Sequence, residues 1–208
     1  MARQSEWSLD PVHSSIEFSV KHMMITTVRG RFKEVDAKVI VDEDNPENSY
    51  VEASLNAASI DTGSPDRDKH LRSADFFDAE TYPTLTFRSK RVAGAHAEEG
   101  DHFTVVGDLT IRDTVMEVSL DVTFDGRGTD PWGNQRAGFT AATEIDRRDW
   151  GLMWNQAIET GGVLVANKVK IQAEVQVVQE QPATRPAHEE GRSQAADGES
   201  PRPESGVP

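Results

Sequence analysis

Any chemistry in this chain must come from oxygen and nitrogen groups, because its 208 residues include six histidines and no cysteine. Disulfides, thiolate nucleophiles and cysteine-based zinc sites are removed together. Ser14 beside His13 is the one neighbouring pair of a nucleophile and a base. No G-x-S-x-G turn or phosphate-cradling glycine loop surrounds it, so it reads as coincidence and no catalytic residue is expected. His13, His22 and His70 lack the spacing of an H-E-x-x-H metal site. Asp66, Arg67, Asp68 and His70 form a dense charged stretch. They are expected to pair with one another, or with Arg147 and Arg148, in salt bridges that hold a helix over one end of the molecule. Contact with a ligand is the alternative.

The whole chain carries 22 basic against 36 acidic residues, a formal charge of -14, which would repel phosphate backbones and anionic headgroups. Nucleic acid and membrane surfaces are therefore poor candidates for partners. The opening MARQSEWSLDPVHS lacks the apolar core of a signal peptide, and no later run approaches the ~20 apolar residues of a spanning helix. A cytoplasmic protein without stable membrane insertion is expected. Composition changes near Val178. The last stretch, QEQPATRPAHEEGRSQAADGESPRPESGVP, carries five of the ten prolines and no Leu, Ile, Met, Phe, Trp or Tyr. It has too little apolar surface to offset ordering entropy, so 5–178 is expected as the folded domain and 179–208 as a disordered acidic tail.

The elements that must position these residues are strands, because apolar side chains recur at every second position. Ile16, Phe18, Val20 and His22 share one parity, while Val35, Ala37, Val39 and Val41 share another. Phe32 is out of phase with that second set, which predicts a bulge or break between them. Further alternating runs are Val51 to Ala57, Leu85 to Phe87, Phe103 to Ile111, Val118 to Phe124, Ala137 to Ile145 and Val163 to Val177, with Asn167 interrupting the last. Turns are expected at 42–49, 94–101, 112–114 and 125–134. One short helix should follow Ser64, as its cap, and Pro65, at its first position. About eight antiparallel strands best hide their edges by closing, so the expected fold is an all-β, eight-stranded antiparallel barrel.

Small inward residues such as Ala37, Ala53, Ala57, Gly107, Ala137 and Ala141 alternate with Phe18, Phe87, Phe103 and Phe139. This pattern fits an apolar cavity or a core filled by the bulky neighbours, and leaves both open. His22 continues a dry face, where it is a hydrogen-bonded structural histidine, a donor to a ligand carbonyl or head group, or a metal ligand. If residues 76 and 77 are extended, Phe77 points inward and Phe76 outward. Trp150 and Trp154 flank an apolar stretch and form ordinary core or an end wall.

The runs DPVHSSIEFSVKH at 10–22 and VRGRF at 28–32 resemble the start of the YceI-like polyisoprenoid-binding family. SIDTGSPDRDKHLRSADFFDAETYPTLTFRSK at 59–90, GDLTIRD at 107–113 and DRRDWGL at 146–152 continue that resemblance in order, covering Trp7 to Val178 and none of the tail. Trp150 departs from the family's more frequent Phe, and the missing signal peptide departs from exported relatives. The resemblance implies a lipocalin-like barrel with an apolar pore for an isoprenoid chain, such as a polyprenyl lipid or a quinone tail, and no catalytic motif. The candidate ligand-binding set is Phe18, Val20, His22, Phe32, Phe77, Leu85, Phe87, Phe103, Leu109, Phe139, Trp150 and Trp154. No cofactor is expected beyond such a bound lipid or quinone, and a homodimer is left open. A haem- or metal-dependent stress enzyme or sensor using His22 is the alternative reading. A solid barrel whose tail recruits a partner is a third.

Overall fold

The computed structural model describes residues 3–96, 98–157 and 163–180. Eleven strand segments are present: β1 (Gln4–Leu9), β2 (Ser15–His22), β3 (Thr26–Phe32), β4 (Val35–Asp42), β5 (Tyr50–Asn56), β6 (Ile60–Asp61), β7 (Thr84–Ala93), β8 (His102–Ile111), β9 (Thr114–Thr129), β10 (Gln135–Asp146) and β11 (Val165–Gln179). The helix α1 spans Pro65–Arg72. Every pairing is antiparallel, and β1 bonds to both β4 and β11, which closes the ring β1-β4-β5-β7-β8-β9-β10-β11. The fold is thus the expected eight-stranded antiparallel barrel.

The three remaining segments extend ring positions rather than adding to them. β11 pairs with β1 at Val177–Gln179 and with β2 lower down, from Val169 to Glu174. Thus β1 and β2 are successive halves of one barrel position, separated by a bend at residues 10–14. Likewise β3 pairs with β2 while β4 pairs with β1, so the phase change after Phe32 is a real break at Lys33-Glu34. β6 continues from β5 and pairs with β3. Beyond it the wall has no further strand, and the segment from 62 to 83, containing α1, occupies the gap before β7.

The turn expected at 125–134 is shorter in the structure. β9 runs on to Thr129, and the register shift at Gly138/Phe139 leaves Asp125 as an extra, unpaired residue. The turn itself is organised by Asp130, whose Oδ1 accepts the amides of Trp132 and Asn134 at 3.0 and 2.9 Å. Pro65 starts α1 as expected, but Ser64 makes no side-chain cap hydrogen bond. Gln179 still pairs with Trp7, so the barrel extends slightly past the expected boundary, and the tail from 181 onward lies outside the described residues.

The connections alternate between two ends of the barrel. One end, called here the turn end, carries the β4–β5, β7–β8 and β9–β10 links. The other, the helix end, carries β2–β3, the α1 segment, β8–β9 and β10–β11. Apolar packing is distributed along the wall in three clusters, around Trp150, Phe87 and Val177 respectively, rather than gathered at one centre.

Candidate functional site

Small side chains facing small ones across the barrel leave it hollow. Ala37 and Ala53 are cross-strand partners on β4 and β5, and Ala141 and Ala173 are partners on β10 and β11. Positions β5 and β10 are four places apart in the eight-membered ring, so these small residues stand on opposite walls. Two phenyl rings that could fill the space lie along the wall instead. The Phe18 ring sits over Gly30, where an added Cβ would come within 2.4 Å of its Cζ. The Phe87 ring covers Gly107 in the same way, at 2.6 Å. The result is a cavity of about 690 Å³, inside the roughly 300–1,000 Å³ range of small-molecule sites.

The cavity wall includes Glu43, Tyr50 and Arg127 at the turn end and His22, His70 and Trp154 at the helix end, so the hollow follows the barrel's length. β11 has 15 residues. At about 3.3 Å per residue and a tilt near 40°, such a strand covers roughly 38 Å along the axis. Most polar groups stand at the ends, while Glu17 and Thr143 reach the hollow at mid-wall. At the turn end Arg127 approaches Glu43 at 3.6 Å and stacks over the Phe124 ring. There the single 3-10 turn Pro46–Asn48 is held down by the Gly94 amide, which donates to Glu47 at 2.8 Å.

At the helix end the expected salt bridges are replaced by contacts with Thr62 and Asp75. Asp68, buried, accepts the Thr62 amide at 2.9 Å, and Arg67 Nε donates to the Thr62 hydroxyl at 2.7 Å. His70 Nε2 lies 2.9 Å from Asp75, and its ring packs edge-on against Trp154 and Phe76. Arg147 is only 4% exposed and has no carboxylate partner among the described residues. Its guanidinium donates to the carbonyls of Ala166, Leu152, Trp154 and Val165 and to the Asn167 amide oxygen. Burial draws its pKa below the ordinary value. Arg148 instead pairs with Asp146, holding that carboxyl down at about 2. Thus Arg147 is a clamp that joins the β10–β11 connection to the barrel floor, where sequence reasoning expected a partner for the helix charges.

Eleven of the twelve candidate residues lie on the cavity wall: Phe18, Val20, His22, Phe32, Phe77, Leu85, Phe87, Phe103, Leu109, Phe139 and Trp154. Trp150 does not. It ends the one-turn 3-10 helix Arg147–Trp150, and its indole N–H donates to the Leu109 carbonyl at 3.0 Å, which draws the ring into the wall. Phe76 joins the wall beside Phe77, because residues 74–77 form a turn rather than an extended strand with opposed faces. Phe32 links the two rings Phe18 and Phe77 into one aromatic face, with centroids 6.0 and 5.7 Å apart. Leu164 and Arg127 also line the hollow and were not anticipated, since both stand near the ends of strands where period-two patterning fades. Among the described residues no three His, Asp or Glu side chains are grouped to hold a metal ion.

The YceI-like domain pattern matches residues 7–177. A UPF0312 protein of Staphylococcus epidermidis is 38% identical over 170 residues, covering 81% of this chain and 95% of that protein. Protein YceI of Escherichia coli O157:H7 is 38% identical over 140 residues, or 67% and 71% of the two chains. Among solved structures, BcnA of Burkholderia cenocepacia superposes with a TM-score of 0.69 at 26% identity, covering 81% of this chain and 98% of its own. A polyisoprenoid binding domain from Saccharophagus degradans shares the fold alone, with a TM-score of 0.60 at 16% identity over 84% and 98% of the two chains. With the domain pattern spanning the whole barrel from Trp7 to Val177, this chain belongs to the YceI-like family.

Proposed function

We propose that this protein is a non-catalytic carrier that holds one isoprenoid chain, of a polyprenyl lipid or an isoprenoid quinone, along the axis of its barrel. The observation that carries the reading is the long hollow of about 690 Å³ whose wall is mostly apolar, with its polar groups mainly at the ends. An elongated hydrocarbon is the ligand class that such a wall rewards. Each buried CH2 is worth roughly 0.8 kcal/mol, so a few isoprene units offset the cost of association without a polar anchor. The end groups would then select among head groups, with His22, His70 and Arg67 at the helix end as candidates.

Protein purified without detergent is expected to carry a lipid visible by native mass spectrometry, and the stripped protein is expected to take up solanesol. Ala141→Phe should block that uptake. A phenyl group displaces about one isoprene unit, and five carbons at roughly 0.8 kcal/mol amount to about 4 kcal/mol, so affinity falls by up to roughly a thousandfold. Uptake that is absent in the parent protein, or unchanged in a folded Ala141→Phe variant, removes the lumen from the account.

A further inference from the structure

The β2–β3 connection carries an apolar tip that folding alone does not favour. Met23 and Met24 both occupy the left-handed region, at φ 51° and 59°, and the Ile25 amide donates to the His22 carbonyl at 3.0 Å. A turn of this kind favours Asn-Gly, because side chains beyond Cβ are strained there. Met24 is nevertheless 68% and Ile25 75% exposed. Nine large apolar side chains are exposed among the described residues, and seven of them stand at the helix end: Met23, Met24, Ile25, Val115, Met116, Met153 and Val163. Such a concentration marks an interaction surface rather than scattered exposure.

The tip is also continuous with the cavity. The Met23 amide donates to the Leu164 carbonyl at 2.8 Å, His22 pairs with Val165, and His22, Leu164 and Val165 all line the hollow. Its charge is opposite to that of the chain. Between Glu17 and Glu34 there is no acid, but there are Lys21, Arg29, Arg31 and Lys33. Arg31 and Lys33 share Asp61, whereas Lys21 and Arg29, both exposed, have no carboxylate partner among the described residues. The chain's net charge of -14 argues against an anionic surface. At physiological ionic strength, however, charges are felt over only about 8 Å, so a surface touching this tip meets the local cations.

We propose that the β2–β3 tip docks the helix end of the barrel onto an anionic lipid bilayer, with Met24 and Ile25 entering the headgroup region and Lys21 and Arg29 contacting lipid phosphates. An apolar insertion flanked by cations is the chemistry that recognises such a surface. This deepens the carrier reading, since it puts the hollow's rim against the source of its ligand, but docking itself does not require an occupied lumen.

The test is co-sedimentation of the full chain with phosphatidylcholine vesicles, with and without phosphatidylglycerol. The parent protein should bind the phosphatidylglycerol vesicles and release them as salt rises. Met24→Glu/Ile25→Glu should weaken binding by at least about tenfold, and each of Lys21→Gln and Arg29→Gln by about fivefold. The decisive variant is Met23→Asn/Met24→Gly. It relaxes the turn, so its unfolding midpoint should rise while vesicle binding falls. All these variants should keep solanesol uptake from detergent micelles. No sedimentation of the parent protein, or sedimentation indifferent to the tip variants, overturns the docking proposal. So does a dimer, seen by sedimentation velocity, that the tip variants dissolve while vesicles are ignored, because the surface then belongs to a second copy. Docking that persists in a protein unable to take up solanesol leaves this proposal standing and defeats the carrier reading alone.

Discussion

Placement of the Phe18 ring on Gly30 decides how much of the barrel stays open, and Gly30→Ala perturbs it directly. The new Cβ would stand 2.4 Å from Phe18 Cζ, 2.8 Å from its Cε1 and 2.7 Å from Thr62 Cγ2. Ordinary carbon contacts begin near 3.5 Å, so the ring must retreat by about 1 Å or swing into the lumen. All three obstructing atoms belong to side chains, which makes movement of the ring cheaper than movement of the backbone. Overpacking of this kind costs roughly 1–3 kcal/mol. Phe18→Ala alone removes a half-buried wall residue and is expected to cost about 2 kcal/mol, below the 3–5 kcal/mol of a fully buried phenylalanine. In the double variant the methyl strikes only Thr62 Cγ2. Its loss should therefore be smaller than the sum of the singles by at least about 0.5 kcal/mol, the coupling expected of residues in contact. Urea unfolding followed by tryptophan fluorescence measures the cycle, and native mass spectrometry measures solanesol uptake. Uptake should fall in Gly30→Ala and recover in the double variant. Energies that add within about 0.3 kcal/mol would refute the reasoning, because the ring would then not be resting on the glycine.

Arg147→Met keeps the side chain's length but leaves the Leu152, Trp154 and Ala166 carbonyls without their donor. It should lower stability by about 3 kcal/mol, measured by urea unfolding, and loosen the β10–β11 connection to limited proteolysis. A loss under about 1 kcal/mol would mean that water replaces the guanidinium there. Acid should destabilise the barrel through Asp10 and Asp146. The His13 and Arg136 hydrogen bonds hold Asp10 at about 2, below its usual 3.8, and Arg148 does the same for Asp146 at the helix end. A carboxyl whose pKa is depressed on folding contributes stability above its unfolded pKa and loses it as pH falls through the folded one. The loss should therefore fall between about pH 4 and 2. It should be smaller in Asp10→Asn, whose unfolding midpoint, compared with the parent's across that range, checks the assignment.

Period-two alternation determined by itself that this chain is a sheet, which side of each strand is dry, and that the strand line breaks after Phe32, because side-chain direction in a strand is local. Parity likewise placed most of the candidate residues on the inner wall, Phe77 and Trp154 excepted. Other features depend on partners distant in sequence, and these only the tertiary structure decided. The count of eight ring positions from eleven segments is one, since β1 and β2 share an edge of β11 that no local pattern reveals. The fate of Trp150 is another, because a carbonyl on β8 captures its indole. Arg147 is a third, because its acceptors are the carbonyls of a connection that closes only when the barrel does. The hollow itself belongs here too. Alternating small and large residues were equally compatible with a filled core. What leaves the centre open is that the rings of Phe18 and Phe87 find glycines on neighbouring strands and lie flat, and cross-strand register is a property of the fold rather than of any segment.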